Sequence, residues 1–204
     1  MEHITIIKEF SQAAERIVGK AIEEKILVEM LAHSQTAKYK KGQTILGIGE
    51  RLEYTGVILS GMARSYYLDI NGNEHTRNFH KEYFMIMDEG LIGYKNSICA
   101  YEALEDTVLI LFEISMLKRM IAENDNLKDF YIASLESGMR YKIYRENEFL
   151  TNNATQRYLK FREDFPEIAD RVKQSYISTY LGIAPESLSR IRKALKEENG
   201  EDLI

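Results

Sequence analysis

The hydrophobic residues of this 204-residue chain change their spacing twice, and this change limits the folds it can adopt. Residues 12–33 repeat apolar side chains every three or four positions, which predicts an amphipathic helix. From Tyr39 to Glu113, short β-branched and tyrosine-rich runs alternate with glycines, as in strands joined by tight turns. The helical spacing then returns and continues without proline to about Leu150. The sequence therefore predicts an α+β fold with a β-rich middle.

The β-rich middle contains a hairpin signal. Tyr66–Leu68 and His75–Phe79 flank a turn whose Asn71-Gly72 pair favours the positive φ angles of a tight hairpin. Val108–Phe112 adds one continuous apolar strand. About seven short strands between residues 37 and 113 predict a β-sandwich or jelly roll.

Length and cysteine content favour a two-domain protein of the cytoplasm. Asn152-Asn153 interrupts the helical pattern, so we expect a hinge near Thr151 between domains at residues 1–150 and 151–204. Cys99 is the only cysteine, which suits a reducing compartment. The N-terminus has no small-residue cleavage site, and no stretch of about 18 apolar residues offers a membrane span. We therefore expect no membrane partner.

The helical segment from about residue 114 to residue 150 has two usable faces. One face carries Ile132, Leu135, Met139 and Ile143. The other carries Leu127, Tyr131, Ser134, Gly138 and Tyr141 at alternating spacings of four and three. A helix buried twice within one domain would have this pattern, and so would a dimer seam in which the small Ser134 and Gly138 permit close helix approach. The residues alone leave both interpretations open.

Positive charge is concentrated near the C-terminus of an otherwise acidic chain. The formal net charge of the whole chain is -5. Residues 171–196 nevertheless carry six Lys and Arg against Glu186 alone, which makes that segment +5. Because phosphate contacts need clustered Lys and Arg, this basic segment is a candidate DNA-binding surface.

The basic segment also has the spacing of two short helices that cross at a turn. If Gly182 forms the turn, five apolar residues face a shared core, namely Ile177, Leu181, Ile183, Leu188 and Ile191. Pro185 falls in the first turn of the second helix, where its missing N–H costs nothing. Polar residues then project from the outer face of that helix: Glu186, Ser187, Ser189, Arg190 and Lys193. The pattern indicates a helix-turn-helix, although an ordinary helical hairpin with a solvated face is the alternative.

With these features in place, the chain resembles the Crp/Fnr family of bacterial transcription regulators over nearly its whole length. The family has a cyclic-nucleotide-binding-type β-roll, a long dimerisation helix and a C-terminal winged helix-turn-helix, in this order. Residues 39–43, 57–61 and 103–107 are similar to its roll elements, and Glu186, Ser187 and Arg190 match its recognition-helix pattern. The resemblance implies a homodimer that binds a palindromic double-stranded DNA operator, with RNA polymerase as a further partner.

The resemblance also assigns roles to individual residues. Arg190 would donate to guanine O6 and N7, and Glu186 would accept from a cytosine amine. Ser187 and Ser189 would contact base or phosphate, and Lys193 would serve a phosphate or an intramolecular pair. At the start of the first helix, the residues expected to clamp the DNA backbone are Lys173, Gln174 and Ser175.

The effector pocket departs from the cyclic-AMP-binding members. Those members hold the phosphate with an Arg-Ser pair, which residues 84–108 do not contain. This stretch has five acidic residues against Lys95, a balance that would repel a cyclic phosphate. One cysteine excludes an iron–sulfur cluster within a single chain, and four histidines show no haem signature. We therefore expect no cofactor and an effector other than cyclic AMP. The residues do not indicate what that effector is.

Two other classes of function remain open from the residues. A β-roll that binds a small molecule or docks on a protein, with a silent helix-turn-helix, has the same pattern. A cupin-like enzyme would need His and carboxylate ligands converging from neighbouring strands, and the chain lacks a close His-x-His pair. We expect a regulator and not an enzyme.

Overall fold

The computed structural model describes residues 2–199. The strands are β1 (Gln35–Tyr39), β2 (Thr44–Leu46), β3 (Tyr54–Ser60), β4 (Ala63–Leu68), β5 (Glu74–His80), β6 (Met85–Ile86), β7 (Ala100–Ala103) and β8 (Thr107–Glu113). The helices are α1 (Glu2–Val18), α2 (Glu24–Ala32), α3 (Ile114–Glu123), α4 (Asp125–Thr151), α5 (Ala154–Asp164), α6 (Pro166–Arg171), α7 (Gln174–Leu181) and α8 (Pro185–Asn199). A single 3-10 turn spans Asp88–Gly90.

The strands form a β-roll of two four-stranded sheets. One sheet has the order β1-β8-β3-β6 and the other has the order β2-β7-β4-β5. Between β1 and β4 the chain changes sheet at each new strand, which is typical of a jelly roll. The predicted roll and the predicted hairpin are confirmed, because β4 and β5 flank a turn in which Gly72 has a φ of 81°.

Alternating residues of β3 and β8 supply two separate hydrophobic cores. Ile58 and Leu109 face the roll core, whose buried residues are Leu52, Ile58, Ala63, Ile86, Met87, Cys99, Tyr101, Leu109 and Ile114. Val57 and Ile110 lie on the opposite face of the same strands, which the helices cover. This helix-side core consists of Ile7, Ile22, Ile26, Leu27, Met30, Val57, Ile110, Phe112, Met116, Leu117, Met120 and Leu127.

The single helix predicted over residues 12–33 is wrong, because the segment contains the end of α1 and all of α2. Gly19 has a φ of 76° and follows the last residue of α1, where a left-handed glycine commonly ends a helix. The apolar spacing was still informative. Ile22, Ile26 and Met30 are buried in the helix-side core.

The single helix predicted from about residue 114 to residue 150 is also divided in two. Asn124 has extended backbone angles, φ −130° and ψ 115°, between α3 and α4. Its side-chain oxygen accepts a hydrogen bond from the Leu127 N–H at 3.1 Å, so it caps the start of α4. An asparagine that competes with the helix backbone in this way breaks the segment without glycine or proline.

The C-terminal helices begin at an asparagine cap, Asn153. The Asn153 side chain accepts from the Gln156 N–H, and the Gln156 side chain accepts from the Asn153 N–H, which completes a capping box. Pro166 follows the end of α5 and begins α6, a helix that the sequence pattern did not indicate. After Glu113 the described residues contain helices and no strand, so the strands of a wing are not among residues 114–199.

The described residues group into two compact units. One contains the chain up to Ser65 together with His80–Ile143. The other contains Tyr66–Phe79 together with the described residues from Tyr144 onward. The second unit therefore combines the β4–β5 hairpin, residues 66–79, with the end of α4 and the C-terminal helices. The division near Thr151 into sensor and DNA-binding domains stays a prediction.

Candidate nucleic-acid interface

The predicted helix-turn-helix is formed by α7 and α8. Gly182 follows α7 with a φ of 65°, the left-handed conformation that the sequence assigned to the turn. The Ile183 N–H donates to the Ser178 carbonyl at 3.0 Å and the Gly182 N–H donates to the Thr179 carbonyl at 3.3 Å, the two bonds of a Schellman motif. Ile177, Leu181 and Leu188 are at most 1% exposed, whereas Ile183 and Ile191 are half-buried.

The outer face of α8 carries the predicted base-reading residues. Glu186, Ser189, Arg190 and Lys193 are exposed, and Ser187 is half-buried. The Arg190 guanidinium donates to the Ser187 hydroxyl at 3.3 Å and to the Glu186 carbonyl at 3.4 Å, both within its own helix. These local bonds hold Arg190 along α8 and are weak enough to be exchanged for other acceptors.

The start of α7 carries the predicted backbone-clamping residues. Lys173, Gln174 and Ser175 are exposed at the first turn. The Lys173 ammonium lies 5.4 Å from the centre of the Tyr176 ring. A helix N-terminus presents free N–H groups and the positive end of the helix dipole, so this turn suits a phosphate.

Two arginines hold the opposite end of α7, and the sequence analysis did not find them. From α4, Arg145 donates to the Tyr180 carbonyl at 2.9 Å, and its guanidinium lies 3.8 Å from the centre of the Tyr180 ring. From α5, Arg157 donates to the Leu181 carbonyl at 3.1 Å and to the Asn152 carbonyl at 2.8 Å. Cations at a helix C-terminus satisfy its last carbonyls and oppose its dipole. The helix-turn-helix is therefore anchored at its turn.

The last turns of α4 are joined to α5 by hydrogen bonds between polar side chains. The Tyr144 hydroxyl lies within hydrogen-bond distance of two carboxylates, 2.6 Å from Asp164 and 3.0 Å from Glu148. Burial, together with these two carboxylates, raises the pKa of Tyr144 far above its ordinary value. Glu148 is 5% exposed and also pairs with Arg145 at 3.4 Å. This network fixes the residues from which Arg145 reaches α7.

The residues predicted for a dimer seam have different surroundings along α4. Leu127 is buried in the helix-side core of its own chain. Tyr131 donates its hydroxyl to the Leu91 carbonyl at 3.3 Å, and Ser134 donates to the Phe130 carbonyl one turn earlier at 2.8 Å. Gly138 faces open space, and Tyr141 is half-buried. Their assignment to a seam stays a prediction.

The second face of α4 is the more exposed apolar one. Its side chains are between 43% and 59% exposed at Ile132, Leu135, Met139 and Ile143. Their spacing of three and four residues places them in one row, and Leu150 continues that row with 79% exposure. This apolar row is defined as Ile132, Leu135, Met139, Ile143 and Leu150. No partner within one chain covers it in the part of α4 described.

The interior of the roll contains buried polar groups that pair with one another. Glu89 is 3% exposed and accepts hydrogen bonds from the Tyr101 hydroxyl at 2.8 Å and from the Cys99 thiol at 3.3 Å. Arg64, 2% exposed, pairs with Glu102 at 2.6 Å. Cys99 is also buried. His80 lies on β5 at the edge of its sheet, is 6% exposed and lies 3.0 Å from the Ser65 hydroxyl.

Known proteins resemble this chain in one domain and in fold. Residues 36–124 match the cyclic nucleotide-binding domain. FixK2 from Bradyrhizobium japonicum has a similar structure, with 21% identity over 81% of this chain and 86% of that chain and a TM-score of 0.73. The c-di-GMP responsive global regulator CLP of Xanthomonas campestris is 14% identical over 87% of this chain and 93% of that chain, with a TM-score of 0.72.

A third similar structure is the catabolite activator protein of Thermus thermophilus, at 18% identity over 90% of this chain and 88% of that chain, with a TM-score of 0.57. No curated protein sequence matches the chain. Among residues 2–199, no helix is both long and apolar enough to cross a membrane. Residues 36–124 therefore match the cyclic nucleotide-binding domain, and the chain has the fold that these three solved structures share.

Proposed function

We propose that this protein is a cytoplasmic, sequence-specific DNA-binding transcription regulator. The observation that carries the proposal is the exposed polar face of α8, which follows a left-handed glycine turn in the one strongly basic segment of an acidic chain. A helix with this face enters a major groove, where side chains near its N-terminus reach base edges. RNA polymerase is the downstream partner that such a regulator would contact.

The first two turns of α8 contact the DNA bases in this proposal. Arg190 donates to guanine O6 and N7 after exchanging its bonds to Ser187 and the Glu186 carbonyl, and the Glu186 carboxylate accepts from a cytosine amine. Ser187 and Ser189 contact base or phosphate. The residues that bind the DNA backbone are Lys193 on α8 and Lys173, Gln174 and Ser175 on α7.

The DNA-binding form is a homodimer in which α4 pairs with α4 of a second copy. The exposed apolar row and the Ser134–Gly138 surface favour this arrangement, because apolar side chains at helical spacing gain stability when a second helix covers them. The residues proposed for the closest helix approach are Leu127, Tyr131, Ser134, Gly138 and Tyr141. Two recognition helices related by a two-fold axis would read a near-palindrome.

The roll, within a sensor domain at residues 1–150, takes an effector other than cyclic AMP. The Arg-Ser pair that would hold a cyclic phosphate is missing, and the buried Glu89 carboxylate disfavours an anion nearby. Residues 151–204 form the DNA-binding domain. Neither part uses a bound metal or cofactor in this proposal, and the chain is not an enzyme.

Selection of bound sequences from random double-stranded DNA tests the proposal. We expect the full chain to enrich a near-palindrome whose half-sites are about 34 Å apart, one helical turn. Arg190→Ala should weaken binding to that sequence by about 10-fold or more and relax the preference at one base of each half-site. Arg119→Ala on the exposed face of α3 is the matched control and should change neither.

Two results would contradict the proposal. If no palindrome is enriched under several effector conditions, a roll that binds a small molecule or a protein without DNA activity replaces it. If Arg190→Ala selects the same sequences as the unaltered chain, α8 does not read bases through that residue.

A further inference from the structure

Two residues that carry side chains adopt the backbone conformation that favours glycine. Among residues 2–199, Tyr83 with a φ of 68° and Met87 with a φ of 58° are the only non-glycine residues with positive φ. They flank β6, so a strained residue lies at each end of the segment 83–87. A bulky side chain is disfavoured in this conformation, whereas glycine adopts it without strain. The tyrosine at residue 83 must therefore be stabilised by the contacts of its side chain.

The Tyr83 side chain contacts the N-terminal helix. Its hydroxyl donates a hydrogen bond to the Glu9 carboxylate of α1 at 2.5 Å. This hydrogen bond, together with burial, raises the pKa of Tyr83 to about 12, so the hydroxyl keeps the proton that it donates. The Tyr83 N–H donates to the Ile58 carbonyl of β3 at 2.7 Å. Tyr83 therefore joins α1 to the sheet.

The linker that follows α1 is held separately, by the start of α4. The Asn126 side-chain oxygen accepts from the Glu23 N–H at 2.9 Å, and its amide group donates to the Ala21 carbonyl at 3.3 Å. Ile22, between these two contacts, is 2% exposed. If the bond between Tyr83 and Glu9 breaks, α1 therefore stays attached at its C-terminal end.

Packing beneath α1 is incomplete. A cavity lies between Ile7 and Phe10 of α1 on one side and α2 and the sheet on the other, where Val57 and Phe112 line it. Atoms that face a void lose the dispersion contacts that a filled core supplies. The apolar face of α1 is therefore held less firmly than that of a fully packed helix, and the hydrogen bond at Tyr83 contributes a larger share of the attachment.

The segment 83–87 leads directly into the roll core. The 3-10 turn Asp88–Gly90 follows it, and Glu89 in this turn accepts hydrogen bonds from the Tyr101 hydroxyl and the Cys99 thiol. Cys99 is 0% exposed. Because the segment and the turn are continuous in the chain, a shift of residues 83–87 displaces Glu89 and opens the part of the core that contains Cys99.

We propose that α1 is a strap, hinged at Asn126 and fastened by Tyr83, that holds the strained segment 83–87 in place and keeps the roll interior closed. Tyr83 is a positioning residue in this device, because its bond to Glu9 offsets the strain of its backbone. When the bond breaks, the segment relaxes and Glu89 moves away from Cys99. The N-terminal helix thus controls access to the roll interior from outside the roll, whether or not the chain binds DNA.

Two variants of Tyr83 in the full chain separate the strap from the strain. Tyr83→Phe removes the hydrogen bond and keeps a side chain in the left-handed conformation, whereas Tyr83→Gly removes both. Tyr54→Phe, at an exposed position of β3, is the matched control. Amide hydrogen exchange at residues 8–14 of α1 should accelerate about 3- to 10-fold in both Tyr83 variants, the effect of one lost hydrogen bond, and should not change in the control.

The second measurement is the rate at which Cys99, the single cysteine of the chain, reacts with an aromatic disulfide reagent while every variant is fully folded. Tyr83→Phe should react about 3- to 10-fold faster than the unaltered chain, because the strained segment has lost its support. Tyr83→Gly should stay within about 2-fold of the unaltered chain, because glycine keeps the left-handed conformation without the strap.

Glu9→Ala provides a second way to break the same bond. It should reproduce both effects of Tyr83→Phe, and combining the two substitutions should add nothing further. Unchanged exchange in α1 or unchanged Cys99 reactivity in Tyr83→Phe would overturn the strap. Equal Cys99 rates in Tyr83→Phe and Tyr83→Gly would overturn it too, because a side chain that served folding alone would be missed equally in both. Neither measurement involves DNA, so a failure of the proposed function leaves this test intact.

Discussion

Single residues decide where the helix-turn-helix bends. Gly182 has a φ of 65°, and a Cβ built there would lie 2.9 Å from the Phe149 ring. Two separate costs therefore exclude a side chain, namely the left-handed backbone and the ring on α4. The first cost was readable from the sequence as a turn glycine. The second arises only when α4 and the turn come together.

Gly182→Ala should lower the free energy of unfolding by about 2–3 kcal/mol, the sum of backbone strain and overpacking against Phe149. Gly72→Ala is the matched control, because Gly72 has a φ of 81° in the same unit and no atom within 4 Å of a built Cβ. That control should lose only about 1 kcal/mol. Equal losses in chemical denaturation would show that Phe149 yields without cost.

The turn of the hairpin depends on the ionised carboxylate of Asp69. Hydrogen bonds from the Asn73 side chain and backbone, with one from the Asn71 N–H, hold the pKa of Asp69 well below its ordinary value. A lowered folded pKa means that this stabilisation is present above the pKa of an unfolded aspartate, about 3.9, and is lost as pH falls through the folded value.

Carboxyl NMR should therefore find Asp69 still ionised at pH values where an exposed aspartate is protonated. Asn73→Ala removes the largest contribution and should move the Asp69 pKa upward toward its ordinary value. The reference is the pKa of an unfolded aspartate, about 3.9. An Asp69 pKa equal to that reference would contradict the hydrogen-bonded turn.

Among the elements, α4 shows how one periodic pattern can support two interpretations. Its two faces have equally helical spacing in the sequence, and the residues alone do not tell which face the chain itself covers. The structure buries Leu127 and leaves the apolar row exposed along the helix. Exposed apolar side chains in such a row favour association with a second copy.

Met139→Glu, in the middle of the apolar row, should shift the proposed dimer toward monomer, raising the dissociation constant by about 100-fold or more through a buried unpaired charge. Arg140→Gln changes the charge by the same amount on a part of α4 away from the apolar row and from the Ser134–Gly138 face. It should leave the dissociation constant unchanged. Sedimentation velocity measures both. If a Met139→Glu chain remains dimeric, the apolar row lies outside the seam, and Gly138→Ala should then weaken association through the Ser134–Gly138 face alone.

At the scale of the whole molecule, the net charge has the opposite sign to the charge of the proposed DNA-binding segment. The chain has a net charge of -5, yet residues 171–196 carry +5. Released counterions make the logarithm of the protein–DNA binding constant fall linearly with the logarithm of salt concentration, with a slope of about 0.9 per neutralised phosphate. The basic segment therefore predicts that DNA affinity falls steeply with salt concentration, although the chain as a whole is acidic.

Lys193→Gln should reduce that slope by roughly 2 per dimer, one phosphate for each subunit, and weaken binding to all sequences alike. Lys118→Gln, at an exposed position of α3, removes the same charge outside the footprint and should leave the slope unaltered. Affinities measured between low and physiological salt provide both slopes. An unchanged slope for Lys193→Gln would remove Lys193 from the phosphate contacts.

The sequence by itself determined the features that depend on residues close to one another in the chain. Hydrophobic spacing, the Asn71-Gly72 turn, the Asn153 cap, Pro166 and Gly182 each act within about one turn of chain, so the roll, the hairpin and the helix-turn-helix were all predictable. The breaks at Gly19 and Asn124 were local too, but their capping chemistry competed with a helical pattern that continued past them.

Only the tertiary structure decided which distant groups meet. Four hydrogen-bonded pairs are separated by 12 to 103 positions in the sequence. They are Arg145 with the Tyr180 carbonyl, Arg157 with the Leu181 carbonyl, Thr76 with Thr179, and Glu89 with Tyr101. Nothing in their local spacing marks them, because each pairing depends on how strands and helices fold back in three dimensions. The same holds for the exposed face of α4, since burial depends on the packing of the whole chain and not on the pattern of one helix.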